Sequence, residues 1–399
     1  MRGSVPAHAG VRALRAHRLL MRLAFGAGHI FAWVIVFRGF YLSNGNLEAT
    51  LIGVAILYSL AQGIAFILTP LSGIALRHGI RRALVYGTLT AAFAFVCMSL
   101  LFTQAISDDF AFGMIVSFVI LMGLHRALYW IPYATAAAEM HAGRSQLFWL
   151  RETLIALMPL LAGVLITIPR GPQILLSLIS GSIILAMFPL TMIPESYERF
   201  EWGYRETFSQ LFSPFNRGPL WLSLFDGIQG VTLLLIWPLA AFIIIGQSFS
   251  ALGVILSATL CIAFVGRPIV RRILRTLRAD RSTTVVAVIA FSSWVLRLSA
   301  GSPLQVAVAD VYYHSGISPR RFSVDASASD QSADGGHFVD EYTALKEMGM
   351  ALGRILACAF LALIALIVNA QSAFALTIIL AAFSAAGSVV LSRRLSRQV

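Results

Sequence analysis

Two long hydrophobic halves, separated by one polar, aromatic-rich segment between Pro194 and Pro219, dominate this sequence. A helix that crosses a bilayer needs about 20 mostly apolar residues, and about twelve such stretches follow one another along the chain. They span approximately 19–42, 49–76, 83–104, 111–138, 147–168, 173–193, 219–245, 250–270, 283–300, 303–318, 344–368 and 372–391. Hydrophobic residues make up 58% of the chain and charged residues 12%, which excludes a water-soluble globule. We predict an all-α polytopic membrane protein.

Positive charge alternates between the loops. Arginines precede the first span and follow the second, fourth, eighth, tenth and last spans, whereas the intervening turns carry almost none except Arg170. This asymmetry places both termini in the cytoplasm and requires an even number of spans. We expect a bacterial inner-membrane protein. The net charge of +12 is scattered among these loops, so it does not form the single basic patch that nucleic-acid binding needs.

The chain divides into residues 1–193, a cytoplasmic linker at 194–218 and residues 219–399, with a polar cytoplasmic loop expected at 319–341. Aromatic residues at helical spacing in the linker predict a segment that lies along the inner membrane surface. Arg151–Glu152 before the fifth span and Lys346–Glu347 before the eleventh form a weak internal repeat, as expected for two related halves.

A short segment after the second span, Ser72–Arg82, resembles the cytoplasmic signature of the major facilitator superfamily, Gly-x-Leu-Ala-Asp-Arg-x-Gly-Arg-Arg. Arg77, Gly79 and Arg81 fit this pattern. Leu76 stands where the family has its aspartate. The resemblance implies a gate at this loop, but the acidic member of that gate is missing from it.

Two further segments carry the resemblance. Gly123–Trp130 in the fourth span is similar to the family's membrane-buried arginine motif, and Pro159–Gly163 in the fifth looks like a degenerate form of a motif associated with proton-driven exporters. The resemblance implies two six-helix bundles of major facilitator type. They would rock about a central cavity lined mainly by spans 1, 4, 7 and 10.

Ionisable side chains inside the hydrophobic spans are functional candidates, because each costs at least a few kcal/mol in the bilayer. The candidates on spans 1, 4, 7 and 10, with polar and aromatic neighbours, form two groups, and a third group of gate residues lies near the cytoplasmic surface. The predicted substrate-binding residues are Arg126, Tyr129, Tyr133, His29, Gln229, Trp237 and Tyr313. The predicted proton-coupling residues are Asp310, Asp226 and His314. The predicted gate residues are Arg77, Gly79, Arg81, Arg151, Glu152, Lys346 and Glu347.

Structural roles remain open for several of these residues. Asp310 and Asp226 could be static partners of Arg126 and Arg297, and Arg126 could simply join two helices. His29 could be a hydrogen-bonded packing residue. The pairs Arg151–Glu152 and Lys346–Glu347 could be solvated surface charges. His125, one residue before Arg126, points about 100° away from it and is expected to face a neighbouring helix.

The leading hypothesis is a proton-coupled secondary transporter of a small organic solute that works by alternating access, with a slight preference for export. Proton-driven uptake of a small anionic solute is one alternative. A non-transporting sensor or assembly protein on a transporter scaffold is another. No enzyme motif, cofactor site or metal-type spacing occurs in the sequence, so we do not expect an enzyme. We expect a monomer whose partners are the solute, protons and the lipid bilayer.

Overall fold

The computed structural model describes residues 7–103, 108–139, 148–197, 200–277, 282–316 and 339–395. Within these ranges all regular elements are helical. The first half contains α1 (Ala7–Asn44), α2 (Leu47–Ala75), α3 (Ile80–Leu100), α4 (Asp108–Glu139), α5 (Phe148–Ile166) and α6 (Gly171–Leu190). The linker and second half contain α7 (Tyr204–Leu211), α8 (Arg217–Val231), α9 (Trp237–Ile244), α10 (Phe249–Thr276), α11 (Thr283–Val295), α12 (Pro303–Ser315), α13 (Val339–Ile367) and α14 (Ala370–Leu395).

Ten helical stretches among the described residues are long and apolar enough to cross a membrane. They coincide with the predicted spans one to eight, eleven and twelve, and α8 and α9 together form the seventh, Arg217–Ile244. The ninth and tenth spans contain shorter helices, Thr283–Ser299 and Pro303–Ser315. The hydroxyl of Ser302 accepts the N–H of Gln305, which fixes the start of α12 at Pro303.

The polar loop expected at 319–341 lies outside the described residues as far as 338. Its last three residues are not loop, because α13 begins at Val339. Asp340 and Glu341 fall in the first turn of this helix, where the helix dipole favours negative charge. The expected loop boundary at 341 was therefore too late.

The helices form two bundles. In the first, α3 packs on α4 and α6, and α1 packs on α5 and α6. In the second, α13 packs on α8 and α14, α11 packs on α14, and α10 packs on α12. The main contacts between the bundles are α2 with α13 and α5 with α10, and α4 also contacts α13. This arrangement is the two-bundle architecture predicted from the sequence.

The α5–α10 contact is a close crossing of two backbones. A Cβ atom added to Gly163 would lie 2.6 Å from the carbonyl oxygen of Phe249, and one added to Gly253 would lie 2.5 Å from that of Pro159. The N–H of Leu160 donates to Ser257 Oγ at 2.7 Å across the same crossing. The segment that resembles an exporter motif therefore holds the two bundles together.

The linker packs between the bundles at one end of the molecule. We call the end that carries α7 the linker face, and the opposite end, at the turn between α1 and α2, the far face. Phe208 of α7 contacts Phe66 of α2, with ring centroids 5.4 Å apart. Leu211 is buried with Leu345 and Met348 of α13. The helical part of the linker is shorter than the aromatic pattern suggested, because Tyr204 begins it.

Enlarging a glycine at the α5–α10 crossing should destabilise the protein. We expect Gly253→Ala to lower the midpoint of thermal unfolding of the purified protein, because overpacking costs about 1–3 kcal/mol. Gly181→Ala in α6 is the matched control, since a Cβ atom there meets nothing within 4 Å. Equal midpoints for the two variants would show that the bundles tolerate a wider separation at this crossing.

Candidate functional site

A salt bridge joins the two bundles deep within the helices. Arg126 Nη2 of α4 donates to Glu347 Oε2 of α13 at 2.8 Å, and these side chains are only 20% and 10% exposed. Arg126 lies on the order of 20 Å from the linker-face end of α4, and Glu347 on the order of 12 Å from the start of α13, at 1.5 Å per residue. A predicted substrate residue and a predicted gate residue are thus direct partners.

A second polar contact between the bundles involves two residues that the sequence analysis missed. Arg354 Nη1 of α13 donates to Gln62 Oε1 of α2 at 3.1 Å, and both residues are buried. Arg354 stands alone in an apolar run of α13. An arginine in such a run is the same signal that identified Arg126, so the sequence contained enough information to find it.

His29 of α1 lies close to both cross-bundle arginines. The charges of Arg126, Arg354 and His125 all act on its ring. His125 itself bonds the carbonyl oxygen of Gly87 at 2.6 Å, so the prediction that it faces a neighbouring helix is confirmed. His29 of α1 therefore lies near the two arginines that reach between the bundles, one of which bonds Glu347. We call Arg126, Arg354, His29 and Glu347 the central site.

Tyr129 and Tyr133 lie further toward the linker face, beside a different cation. Their rings stack at 5.7 Å, and the Tyr129 hydroxyl contacts His17 Nε2 at 3.0 Å. The guanidinium carbon of Arg18 lies 4.7 Å from the centroid of the Tyr133 ring. Arg126, Tyr129 and Tyr133 were predicted together as substrate-binding residues, whereas the structure places Arg18 against the tyrosine rings and Arg126 against Glu347.

Asp310 belongs to a fully buried cluster within the second bundle. Arg297 Nη2 donates to Asp310 Oδ1 at 2.8 Å, and their side chains are 0% and 2% exposed. Trp237 Nε1 donates to the same oxygen at 2.8 Å. The Arg297 guanidinium also lies 4.2 Å from the Tyr313 ring centroid. Trp237 and Tyr313 therefore accompany Asp310, and the contacts of the Asp310 carboxylate stay inside one bundle.

The remaining candidates of the second bundle are dispersed. Asp226 and Gln229 are buried on α8, where Gln229 Nε2 donates to the carbonyl oxygen of Phe225 at 3.3 Å. His314 lies in the last turn of α12, and its carbonyl oxygen accepts Arg267 Nε at 2.8 Å. A π-helical segment, Thr232–Ile236, separates Gln229 from Trp237. Such segments often occur at functional positions, and this one changes the register of the helix just before Trp237.

The predicted gate at Arg77–Arg81 contains an acidic partner that the sequence signature lacks. Arg81 Nη2 lies 2.8 Å from Glu195 Oε2 of the linker, and Arg77 Nη2 donates to the carbonyl oxygen of Phe200 at 2.8 Å. Gly79 has φ +117°, a conformation that side chains disfavour, and Glu195 fills the space beside it. The signature itself lacks a carboxylate at Leu76, and Glu195 of the linker is the carboxylate that pairs with Arg81.

The two carboxylates of the weak repeat bond arginines of other helices. Glu152 accepts two hydrogen bonds from Arg22 of α1, at 2.7 and 3.2 Å, whereas Glu347 accepts one from Arg126. Arg151 and Lys346 each point about 100° away from the adjacent carboxylate, as neighbouring residues on a helix do. Both remain partly exposed near the linker face.

The two best-formed pockets of the described residues do not border Arg126. The best-formed one, about 420 Å³, lies on the far face between α2 and α13, and the next lies between α11 and α14. In the described ranges no three His, Cys, Asp or Glu side chains come together as a metal site.

Comparison with known proteins places the chain by its fold. No protein-family profile and no curated sequence matches it. A human organic anion transporter, MFSD10, superposes with a TM-score of 0.57 at 14% identity, covering 95% of this chain and 99% of that one. A D-xylose–proton symporter gives a TM-score of 0.61 at 14% identity, covering 94% and 96%. The chain has the major facilitator fold.

Another solved structure of this fold is a bacterial homologue of the iron transporter ferroportin. It superposes with a TM-score of 0.58 at 13% identity and covers 97% of this chain and 99% of its own. Similarity across almost the whole length of all three proteins confirms the fold predicted from composition, charge and the degenerate motifs. At these identities the major facilitator fold is shared, while the residues of the central site must be judged from their own geometry.

The buried Arg297–Asp310 pair should behave as a structural unit. We expect Asp310→Ala to destabilise the protein by roughly 3–5 kcal/mol, because it leaves the Arg297 charge buried without its carboxylate. The double variant Asp310→Ala/Arg297→Met should unfold closer to wild type, since it removes both charges. Thermal unfolding of the purified variants in one detergent measures this. Additive effects of the two substitutions would contradict a coupled pair.

Proposed function

We propose that this protein is a secondary active transporter that moves a small organic anion across the membrane by alternating access. The observation that carries the proposal is the Arg126–Glu347 salt bridge between the bundles. A transporter of this fold must make and break contacts between its bundles. A charge pair at that boundary, at the depth where a solute would bind, links solute recognition to the movement.

The central site favours an anion. Arg126 uses Nη2 for Glu347, while its buried Nε has no hydrogen-bond partner among the described residues. A guanidinium offers a planar set of donors that fits a carboxylate or phosphate. The solute's anionic group would replace the Glu347 carboxylate on Arg126. Binding would thereby release α4 from α13.

Glu347 is the best placed group to couple this exchange to protons. Ionised Glu347 holds Arg126, whereas protonated Glu347 releases it for the solute. Arg126 of α4 is the charged group bonded to this carboxylate, and Lys346 is its neighbour along α13. One carboxylate that competes with the solute accounts for coupling without a separate proton pathway. Asp310 is the second candidate, because it is the buried carboxylate of α12.

Location, orientation and direction complete the proposal. The alternating loop charges support a bacterial inner-membrane protein with both termini and the linker face in the cytoplasm. MFSD10 is an organic anion transporter and the xylose protein is a proton symporter, so the two properties joined here both occur in proteins of this fold. The segment Pro159–Gly163 slightly favours export. All residues of the central site belong to one chain, so a monomer contains the whole site.

Replacing Arg126 should abolish transport without loss of folded protein. Arg126→Lys should recover little, since an ammonium group cannot reproduce the planar two-donor contact, and we expect at least about ten-fold slower uptake into proteoliposomes. The double variant Arg126→Gln/Glu347→Gln removes both charges of the pair. It therefore tests whether the protein folds when neither charge is left buried and unpaired. Arg272→Gln, at an exposed arginine of α10, is the control. Near-normal transport by the lysine variant would reduce Arg126 to a general electrostatic attractor.

Glu347→Gln should separate solute movement from proton movement. We expect solute exchange to persist while solute-driven proton flux, measured with a pH dye inside proteoliposomes, is lost. The solutes to be screened are aromatic carboxylates, short dicarboxylates, sugar acids and sugar phosphates. Glu201→Gln removes an exposed carboxylate on the linker face and should retain coupling.

The same assay distinguishes Glu347 from Asp310. If Asp310 is structural, Asp310→Asn protein that folds should still couple solute and proton flux. Loss of coupling in Asp310→Asn with normal coupling in Glu347→Gln would reverse the assignment. Absence of flux with every solute class, in wild-type protein that is folded and inserted, would favour a non-transporting role.

A further inference from the structure

A groove lies on the outer surface of the second bundle, between α11 and α14. It measures about 410 Å³, and all the residues that line it belong to these two helices. We call it the α11–α14 groove. Neither the central site nor the Arg297–Asp310 pair includes any of these residues, so the groove is separate from the proposed transport mechanism. The residues that form its apolar part are Ala287, Val288, Phe291, Ala386 and Val390.

The groove faces the lipid. Val288 of α11 and Phe383 of α14, which lies one turn before Ala386, are both well exposed. Phe291 contacts Phe383, with ring centroids 5.2 Å apart, and this aromatic pair closes the end of the groove that is nearer the bilayer centre. From Thr283 to Phe291 the groove runs about 12 Å along α11, whereas one leaflet of the hydrocarbon core is about 15 Å deep. The groove therefore follows most of one leaflet.

The other end of the groove is polar. Thr283 and Thr284 line it there, in the first turn of α11. Arg393 Nη1 of α14 donates to Thr283 Oγ1 at 3.1 Å, so this bond joins the two helices across the end of the groove. The N-terminal end of α11 also carries the positive end of the helix dipole. The lining therefore changes along the groove from polar and positive to apolar.

Arg394 adds an exposed cation at this polar end. It lies one turn beyond Val390, on the same face of α14. The next residue, Leu395, lies against Gly218 at the start of α8, so this end of α14 belongs to the linker face. The residues that line the groove, all of them within the described ranges, include no carboxylate. A phosphate group at this end would meet a guanidinium and threonine hydroxyls, which are suitable donors for it.

The length of α11 favours an ordered lipid at this place. The helical stretch Thr283–Ser299 extends about 25 Å, which is less than the hydrocarbon thickness of about 30 Å. A span that is too short thins the bilayer around it and so draws the lipid headgroups toward its ends. At the Thr283 end, a headgroup that moves inward in this way approaches Arg394.

A second copy of the chain fits the groove less well than a lipid does. Two copies in one membrane have the same orientation, so a two-fold interface at the groove would bring the arginines of both α14 ends to the same level. Like charges that face each other across an interface repel. An anionic phospholipid matches both parts of the groove instead, because its phosphate is negative and its acyl chain is apolar.

We propose that the α11–α14 groove binds an anionic phospholipid, with the phosphate at Arg394 and the threonine hydroxyls and one acyl chain along Val288 and Phe291. The lipid would contact both helices and so hold the short helix α11 against α14. This binding does not depend on solute transport. The proposed orientation of the chain places the lipid in the cytoplasmic leaflet.

The first test measures lipid binding to the full-length purified protein in detergent by native mass spectrometry. Phosphatidylglycerol should bind more tightly than phosphatidylcholine with the same acyl chains, because only phosphatidylglycerol has a net negative headgroup. Arg394→Gln should weaken the tightest phosphatidylglycerol binding about five-fold, the contribution of one arginine near anionic lipid. The matched control Arg272→Gln, at an exposed arginine of α10, should leave it unchanged. Equal affinities for the two lipids, or no loss in Arg394→Gln, would overturn the proposal.

A second variant tests the acyl-chain part of the groove without a change of charge. Ala386→Phe places a ring where the chain would lie, so it should weaken phosphatidylglycerol binding at least as much as Arg394→Gln does. Ala258→Phe adds the same ring at an exposed position of α10 and is the matched control. Wild-type affinity in Ala386→Phe would contradict the proposal. Displacement of the lipid by an equal concentration of glycerol phosphate, which has no acyl chain, would contradict it too.

Photoreactive phosphatidylglycerol in nanodiscs locates the bound lipid. A reactive group on its acyl chain should label residues 283–291 or 386–390 in preference to the other lipid-facing segments. Labelling spread evenly over the lipid-facing helices would overturn a defined site. If the wild-type protein is instead a dimer that Ala386→Phe dissociates, a second copy covers the groove, and lipid binding there is overturned.

Discussion

An arginine inside a membrane helix must find a partner, because a lone charge at that depth costs several kcal/mol. For Arg126 that partner is Glu347, on a helix of the opposite bundle. This requirement ties the stability of the closed bundle contact to the ionisation of one carboxylate. It also means that separation of α4 from α13 needs a substitute for Glu347, which an anionic solute can be.

The same type of interaction has a different consequence when both partners belong to one bundle. Arg297 and Asp310 form an equally short pair that is more deeply buried, and Trp237 donates to the same carboxylate. Movement of one bundle against the other leaves these contacts unchanged. A buried ion pair inside a rigid body maintains its packing, whereas one between two bodies responds to their movement. The location of the partner therefore decides which carboxylate would respond to movement of the bundles in the proposed transport cycle.

The sequence predicts the architecture well, because the architecture depends on properties that are summed over many residues. Span length, apolar composition and loop charge each act over many residues, so the spans could be recognised despite degenerate motifs, although α11 and α12 are shorter than the spans predicted for them. The partners of single side chains are different. Asp310 and Glu347 are both acidic residues near aromatic or basic neighbours, and only the packing of the bundles shows that Glu347 contacts Arg126 while Asp310 contacts Arg297. Arg354 could have been found from sequence, but its partner Gln62 could not.

Charge compensation also explains how the loop after α2 tolerates the loss of its aspartate. Leu76 is buried where the family signature has an acid, and Glu195, more than a hundred residues later, pairs with Arg81 instead. The backbone N–H of Glu201 in turn donates to Glu341 of α13 at 2.9 Å. The linker therefore bonds the first bundle through one glutamate and the second through its backbone. Because both bonds lie at the linker face, separation of the bundles there must stretch or release this segment, which gives the linker a part in the energy of opening.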